Sequence, residues 1–363
     1  MAKIQLKNLK KVFKGNVVAV NNVNIIIEEG IVTSILGPSG CGKTTTMRLI
    51  AGFENPTEGE IFFDGQKVNN LGPFERKVGM VFQLPILYDD LSIQENISMP
   101  LILLKKTQHE INKKVGEMCD FFDIPENLLK RKARGLDVAE RQKVSLAHTF
   151  ISDKNVYLLD EPLSNLDPRN RIEIRSKIKR YQNEARKTIV YVTHDQTEAM
   201  SLAQKIAVMQ LGVILHYDKT EIVYDYPQNR FVGWFLGNPG MNFIEKVIWE
   251  KEKTSLQVGN LQMEFQSIDD ERKGHQEVVL GIRPENILIS TQPKEGYFEA
   301  QSDFIEPIGN RIVVHLVARD IKVKAKIEKI KDIKKDSKIW VKFPADRILL
   351  FDPKSGEKIY PMN

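Results

Sequence analysis

Short apolar runs alternate with segments of helical period from residue 1 to about 236, and the texture then changes. The first pattern predicts an α/β domain over 1–236 with a mostly parallel core sheet. From Asn242 onward, brief β-type runs such as Val278-Val279-Leu280, Ile312-Val313-Val314 and Ile339-Trp340-Val341 are broken by turn residues. That spacing predicts a small all-β barrel or sandwich over 237–363. Within the first part, Ile31 to Leu36, Val78 to Phe82, Val156 to Leu159 and Thr188 to Val192 read as buried strands. Ile61-Phe62-Phe63, Asp64-Gly65 and Gln66-Lys67-Val68 read as a hairpin closed by a tight turn. Ser92 with Glu95 and Thr107 with Glu110 have the spacing of capping boxes. The second opens a helix whose apolar stripe is Ile111, Val115, Met118 and Phe122, so an α-rich insert is expected between about 86 and 150. Asp167-Pro168 marks another helix start. The stretch Lys322 to Lys335 alternates lysine with apolar residues and reads as a strand with a solvated face.

Composition narrows the class only a little. The 363 residues allow two domains, each with its own core. A net charge of +5 from 53 basic and 48 acidic side chains is a small imbalance and does not by itself argue for nucleic acid. Two cysteines, Cys41 and Cys119, offer no disulfide framework and fit a reducing compartment. Residues Met1 to Lys14 lack the apolar core of a signal peptide. No run is long and apolar enough to span a membrane as a helix.

The candidate chemistry starts at Gly37-Pro38-Ser39-Gly40-Cys41-Gly42-Lys43-Thr44, a complete P-loop placed between a predicted strand and a short predicted helix that stops at Gly52. Backbone N–H groups of Ser39 to Thr45 and the positive end of that helix would wrap a phosphate chain. Lys43 would reach the β- and γ-phosphates, and Thr44 would ligate magnesium. Asp160 ends an apolar strand and would hold the magnesium with Thr44, commonly through water. Glu161 follows it and would deprotonate the attacking water. Gln83 follows a strand where it could touch both the metal shell and the helical insert, and His194 follows one where it could reach the γ-phosphate. Each is weak alone; together, in this order, they predict a nucleoside triphosphatase using ATP and Mg2+.

These segments resemble the ATP-binding subunits of ABC transporters, and over the full length those of maltose-type sugar importers. The likeness rests on Gly37 to Thr45, Val81-Phe82-Gln83, Leu158 to Asp167 and Tyr191-Val192-Thr193-His194-Asp195. It implies that the loop from Ser164 to Asp167 crosses to a partner subunit and that Phe13 stacks on adenine. Gly237 to Phe243, Gly281-Ile282-Arg283-Pro284-Glu285 and Glu306-Pro307-Ile308-Gly309 resemble the regulatory domain of those importers, an oligonucleotide/oligosaccharide-binding-type barrel. The resemblance further implies transmembrane permease subunits as partners, an extracellular substrate-binding protein acting indirectly, and a peripheral place on the cytoplasmic face of the membrane. Importers of polyamines or iron use similar ATPases. A soluble ATPase acting on nucleic acid is the rival class, but Phe298, Phe304 and Tyr297 are too few and lie apart from the lysine run. No nucleic-acid partner is expected.

One motif departs from the family. ABC ATPases carry Leu-Ser-Gly-Gly-Gln before a helix that here reads Arg141-Gln142-Lys143-Val144-Ser145-Leu146-Ala147; this chain has Leu136-Asp137-Val138-Ala139-Glu140. In the family that motif clamps the γ-phosphate held by the opposite subunit. Asp137 would bring an anion toward it, and two unit charges about 4 Å apart repel by about 4 kcal/mol at an effective dielectric near 20. Val138 and Ala139 add side chains where backbone should approach. With the P-loop, Glu161 and His194 intact, the expectation is a heterodimer whose other, non-identical ATP-binding subunit supplies an intact signature.

Overall fold

Strands that are apolar without alternation build the centre of the first unit, as sheets covered on both faces require. In this computed structural model, which describes residues 2–250, 255–258, 261–264, 275–319, 321–328 and 333–360, packing divides the chain into Met1–Thr220 and Glu221–Asn363. The first unit runs β1 (Ile4–Phe13), β2 (Val17–Ile27), β3 (Val32–Leu36), α1 (Lys43–Ala51), β4 (Glu58–Phe63), β5 (Gln66–Lys67), α2 (Pro73–Arg76) and β6 (Val78–Val81). It continues through α3 (Ile93–Leu103), α4 (Gln108–Phe122), α5 (Val138–Phe150), β7 (Val156–Asp160), α6 (Pro168–Ala185), β8 (Thr188–Thr193), α7 (Gln196–Leu202), β9 (Lys205–Gln210) and β10 (Val213–Lys219). The main sheet has the order β10-β9-β3-β8-β7-β6. Its pairs are parallel except β10 with β9. Every residue of β3, β7 and β8 is buried. A second, antiparallel sheet has the order β2-β1-β4-β5.

Local signals read from the sequence hold. The β4–β5 hairpin turns at Asp64 and Gly65, both with positive φ, as a tight primed turn needs. Ser92 Oγ accepts from the Glu95 amide at 3.2 Å and Thr107 Oγ1 from the Glu110 amide at 3.3 Å, so both capping boxes form. Ile111, Val115 and Phe122 of α4 are buried, with Met118 half-buried. The predicted α-rich insert is α3, α4 and α5, and it packs on itself through these apolar faces.

The second unit holds two antiparallel sheets. One has the order Leu261–Glu264, Ser255–Val258, Asn242–Glu250, His275–Ile282, Leu349–Phe351, Lys358–Tyr360. The other has Leu288–Ser290, Lys338–Lys342, Phe298–Ile308, Arg311–Ala318, Ile321–Glu328. Val278, Leu280, Val314, Leu316, Ile339 and Val341 share one core between them. Ile321, Val323 and Ala325 point inward while Lys322 and Lys324 face solvent, the solvated face expected of that run; its residues 329–332 lie outside the described residues.

The sequence texture changes near 236, but packing divides the chain earlier because Arg283 grips the segment before it. The buried Arg283 guanidinium donates from Nε to the Tyr224 carbonyl at 3.1 Å, from Nη1 to the Gly233 carbonyl at 2.9 Å, and also to the Leu236 carbonyl. It also lies 4.0 Å from the centroid of the Tyr224 ring. Burial lowers its pKa, with the nearby acidic groups opposing. Arg283→Met removes the only donors these carbonyls find in that side chain. The Gly233 carbonyl keeps the Met241 amide at 3.0 Å, whereas those of Tyr224 and Leu236 lose this donor. Each acceptor left bare costs about 1–3 kcal/mol, so chemical denaturation is expected to show about 2 kcal/mol or more of lost stability.

Candidate functional site

The P-loop and the three other candidate segments leave the C-terminal ends of β3, β8, β7 and β6, which are neighbours in the sheet. Open parallel sheets place their ligands at this edge. Two glycines are required by contact. A Cβ on Gly37 would stand 2.2 Å from the Met209 carbonyl oxygen. Gly42 has φ 107°, and a Cβ there would stand 2.2 Å from the Ala19 carbonyl oxygen. The loop is also braced: Gly212 N donates to the Cys41 carbonyl at 2.9 Å, and Asn21 N to the Gly212 carbonyl at 2.8 Å. Gly42→Ala combines left-handed backbone with a backbone clash. It is expected to abolish nucleotide binding and to lower the thermal midpoint by several degrees, read by nucleotide titration and calorimetry.

Ser39 and Gly40 are exposed, whereas Cys41 and Lys43 are buried. Burial pushes the Cys41 thiol pKa up, so it is no ready thiolate despite the nearby Lys43. Lys43 Nζ donates to the carbonyls of Gly37 and Pro38, each at 2.9 Å, and lies 3.8 Å from Glu161 Oε1. Thr44 and Thr45 sit in the first turn of α1, half-buried.

Thr44 Oγ1 donates to Asp160 Oδ1 at 3.0 Å, joining the P-loop to the end of β7. Asp160 is 4% exposed. Burial raises its carboxyl pKa, and the Thr44 hydrogen bond pulls the other way. A buried carboxylate and a hydroxyl converging this closely are hard oxygen donors suited to Mg2+. Among the described residues no group of three or more His, Cys, Asp or Glu could form an all-protein cage. The fit is to a metal that keeps phosphate or water oxygens as its other ligands.

Glu161 sits at φ 43°, an uncommon conformation for a residue with a side chain, and its amide donates to the Val192 carbonyl at 2.9 Å. Glu161 Oε2 lies 3.0 Å from His194 Nδ1 and 3.4 Å from Gln83 Nε2. Gln83 after β6, Asp160 and Glu161 at the end of β7, and His194 after β8 are thus brought together with the P-loop. Ser164 Oγ donates to the Glu161 carbonyl at 3.0 Å, and Asn165 Nδ2 to the Gln83 carbonyl at 3.4 Å. Asp167 Oδ1 accepts from the amides of Arg169 and Asn170, capping α6. Phe13 is 39% exposed at the end of β1, with Lys11 Nζ 5.0 Å from its ring centroid.

The departing motif lies at the start of α5. Asp137 is the helix cap: its Oδ1 accepts from the Glu140 amide at 2.8 Å, and its own amide donates to Glu140 Oε2 at 3.0 Å. The sequence reading had Asp137 facing a phosphate; the carboxylate instead turns back onto its own helix. The signal was present in the three-residue spacing of Asp137 and Glu140, an acidic version of a capping box. Val138 is exposed and Ala139 half-buried. Sequence reasoning also missed Arg171 and the buried Glu198, which lie beside the loops of Leu166 and His194.

Comparisons with known proteins agree with this architecture. A family model described as "ABC transporter" matches residues 20–164, and one described as "MalK OB fold domain" matches residues 237–287. The maltose/maltodextrin import ATP-binding protein MalK of Vibrio cholerae is 37% identical over 97% of this chain and 95% of its own length. The trehalose/maltose import ATP-binding protein MalK of Thermococcus litoralis is 34% identical over 99% of this chain and 100% of its own. The uncharacterized ABC transporter ATP-binding protein YurJ of Bacillus subtilis is 33% identical, again over 99% and 100%. Among solved structures, the dimeric ATP-binding cassette MJ0796 bound to ADP and phosphate superposes with a TM-score of 0.56 at 31% identity, covering 60% of this chain and 98% of that one. A P-loop joined to Asp160, the Glu161–His194 pair and full-length relatives place the chain in the ABC transporter ATP-binding family, as an ABC ATPase with a MalK-type barrel.

Proposed function

We propose that this chain is the ATP-hydrolysing subunit of an ABC importer for a sugar or sugar derivative, docked on permease subunits at the cytoplasmic face of the membrane. The observation that carries the reading is the convergence of Lys43, Glu161 and His194 beside the Thr44–Asp160 pair. Backbone amides of Ser39 to Thr45 would hold the phosphate chain, and Lys43 would leave the Gly37 and Pro38 carbonyls for phosphate oxygen. Thr44 and Asp160, with Gln83 nearby, would hold Mg2+, which neutralises charge between the phosphates. Glu161 accepts the proton of the attacking water, and His194 is oriented by Glu161 toward the γ-phosphate. Gln83 links Glu161 to the helical insert, through which the motion reaches the permease. Phe13 would stack on adenine with its partly exposed ring, over which Lys11 now lies. The sugar assignment leans on the maltose and trehalose relatives.

The start of α5 supports a second part of the proposal, pairing with a non-identical ATP-binding subunit across the loop from Ser164 to Asp167. The Glu140 amide in the first turn is engaged by Asp137 and the cap amide of Asp137 by Glu140, and two carboxylates stand at a helix end that would otherwise attract anions. Such a turn is a poor clamp for a partner's γ-phosphate. The intact P-loop then needs a signature from a different chain. The test is to isolate the complex from its native membrane and identify its subunits. Two unlike ATP-binding chains, one with Leu-Ser-Gly-Gly-Gln, are expected; a homodimer hydrolysing ATP at normal rates overturns the pairing.

A further inference from the structure

One guanidinium joins the two loops that flank the reacting phosphate in the reading above. Arg171, in the first turn of α6, donates from Nη2 to the Leu166 carbonyl at 3.2 Å, within the loop from Ser164 to Asp167. Its Nη1 donates to Asp195 Oδ2 at 3.4 Å, the residue directly after His194. Its Nε lies 3.8 Å from Glu198 Oε1 and has no acceptor within hydrogen-bond distance. Glu198 is 2% exposed and is itself held, its Oε2 accepting from Tyr191 and Thr193 hydroxyls, each at 2.8 Å. Thr193 Oγ1 also accepts from the Asp195 amide at 3.0 Å, and the Glu198 amide donates to Asp195 Oδ1 at 3.0 Å.

A carboxylate this buried is normally kept ionised only by donors around it. Here the two hydroxyls and the Arg171 charge oppose the upward pull of burial on its pKa. The network touches neither nucleotide-binding residues nor the base. It does border the residues before and after the chemistry: Leu166 on the loop facing the partner, and Asp195 beside His194. Arginine suits the task because its planar fork reaches several acceptors at once, which a lysine ammonium on a flexible stem does not.

We propose that Arg171 is a positioning residue that couples the partner-facing loop Ser164–Asp167 to the His194 segment, with Glu198 as its buried anchor. This rests on the ATPase reading above and deepens it. Engagement of the loop by a partner then bears on His194 through one side chain. The plain alternative is an ion pair that merely pins α6 to α7. The two differ in what fails when the guanidinium is removed.

The experiment uses the assembled transporter complex and compares wild type with Arg171→Met, Arg171→Lys, Glu198→Gln and the double variant Arg171→Met/Glu198→Gln. Displacing a positioned group by about 1 Å costs up to about a hundredfold in rate. Arg171→Met is therefore expected to lower kcat about tenfold or more, with KM for ATP, nucleotide Kd and the thermal midpoint near wild type. Arg171→Lys is expected to recover part of the loss, and the double variant to be no slower than Arg171→Met, as members of one network behave. Unchanged kcat in Arg171→Met overturns the proposal. So does a parallel fall of kcat, nucleotide affinity and thermal midpoint, the mark of a structural pin. Should wild type not hydrolyse ATP, the ATPase reading fails, and amide hydrogen exchange still decides the coupling. Faster exchange in both 163–167 and 193–195 of Arg171→Met supports it; exchange changed in neither or in only one overturns it.

Discussion

Replacing Glu161 with Gln is expected to cut ATP turnover by about a hundredfold to ten-thousandfold, the usual contribution of a positioned general base. The substitution keeps the shape of the side chain and removes its ability to accept a proton from water. Nucleotide binding is expected to survive, because the P-loop amides, Thr44 and Asp160 are untouched and Lys43 loses only a carboxylate at 3.8 Å. The neighbouring contacts change modestly: an amide oxygen can still accept from His194, and Gln83 still has a partner. The check is a nucleotide titration alongside steady-state turnover in the assembled complex. Full turnover in the variant would move the base elsewhere, with His194 the first alternative, and a parallel His194→Ala measurement would identify it.

Restoring the signature is expected to produce the second large effect. In the heterodimer proposed above, with Glu161→Gln silencing the site built on this chain's own P-loop, the remaining turnover would come from the partner's P-loop facing this chain's α5. Asp137→Ser, Val138→Gly, Ala139→Gly and Glu140→Gln together replace two anions and two side chains by a hydroxyl, free amides and a neutral amide group. Losing one donor aimed at developing charge lowers rate by about a hundredfold or more. The restored complex is expected to gain about that factor over the Glu161→Gln background. Ser at the cap keeps the helix start, while each glycine weakens the first turn by at most about 1 kcal/mol. No gain in turnover, with the complex still assembled and binding nucleotide, would show that the Asp137–Glu140 turn is not what limits that site.

Much of this site was legible because its parts are local in sequence. The P-loop pattern carries its own geometry, and Gly37 and Gly42 prove to be required by the carbonyls of Met209 and Ala19. Strand ends are marked by the switch from apolar run to polar residue, so Gln83, Asp160, Glu161 and His194 could be placed at one sheet edge before any contact was known. The all-β character of the C-terminal unit followed from turn spacing in the same way, while its division into two sheets did not. Long-range electrostatics did not follow. Arg171 and Glu198 are 27 positions apart on two helices, and each alone reads as an ordinary charged helical residue. Arg283 looked like part of a motif, and only packing shows it holding three carbonyls of the preceding segment. At Asp137 charge was legible and direction was not: the carboxylate turns to the Glu140 amide of its own helix, 2.8 Å away.

The bracing of the P-loop has a consequence for how fuel arrives. Gly212, itself held by the Asn21 amide, braces the loop at the Cys41 carbonyl through backbone hydrogen bonds that owe nothing to nucleotide. The entropy of shaping those residues, about 1–2 kcal/mol for each backbone unit, is therefore met when the chain folds. Capture then asks little of the backbone: the loop is already curved, and the change left to make is the exchange by Lys43 of the Gly37 and Pro38 carbonyls for phosphate oxygens.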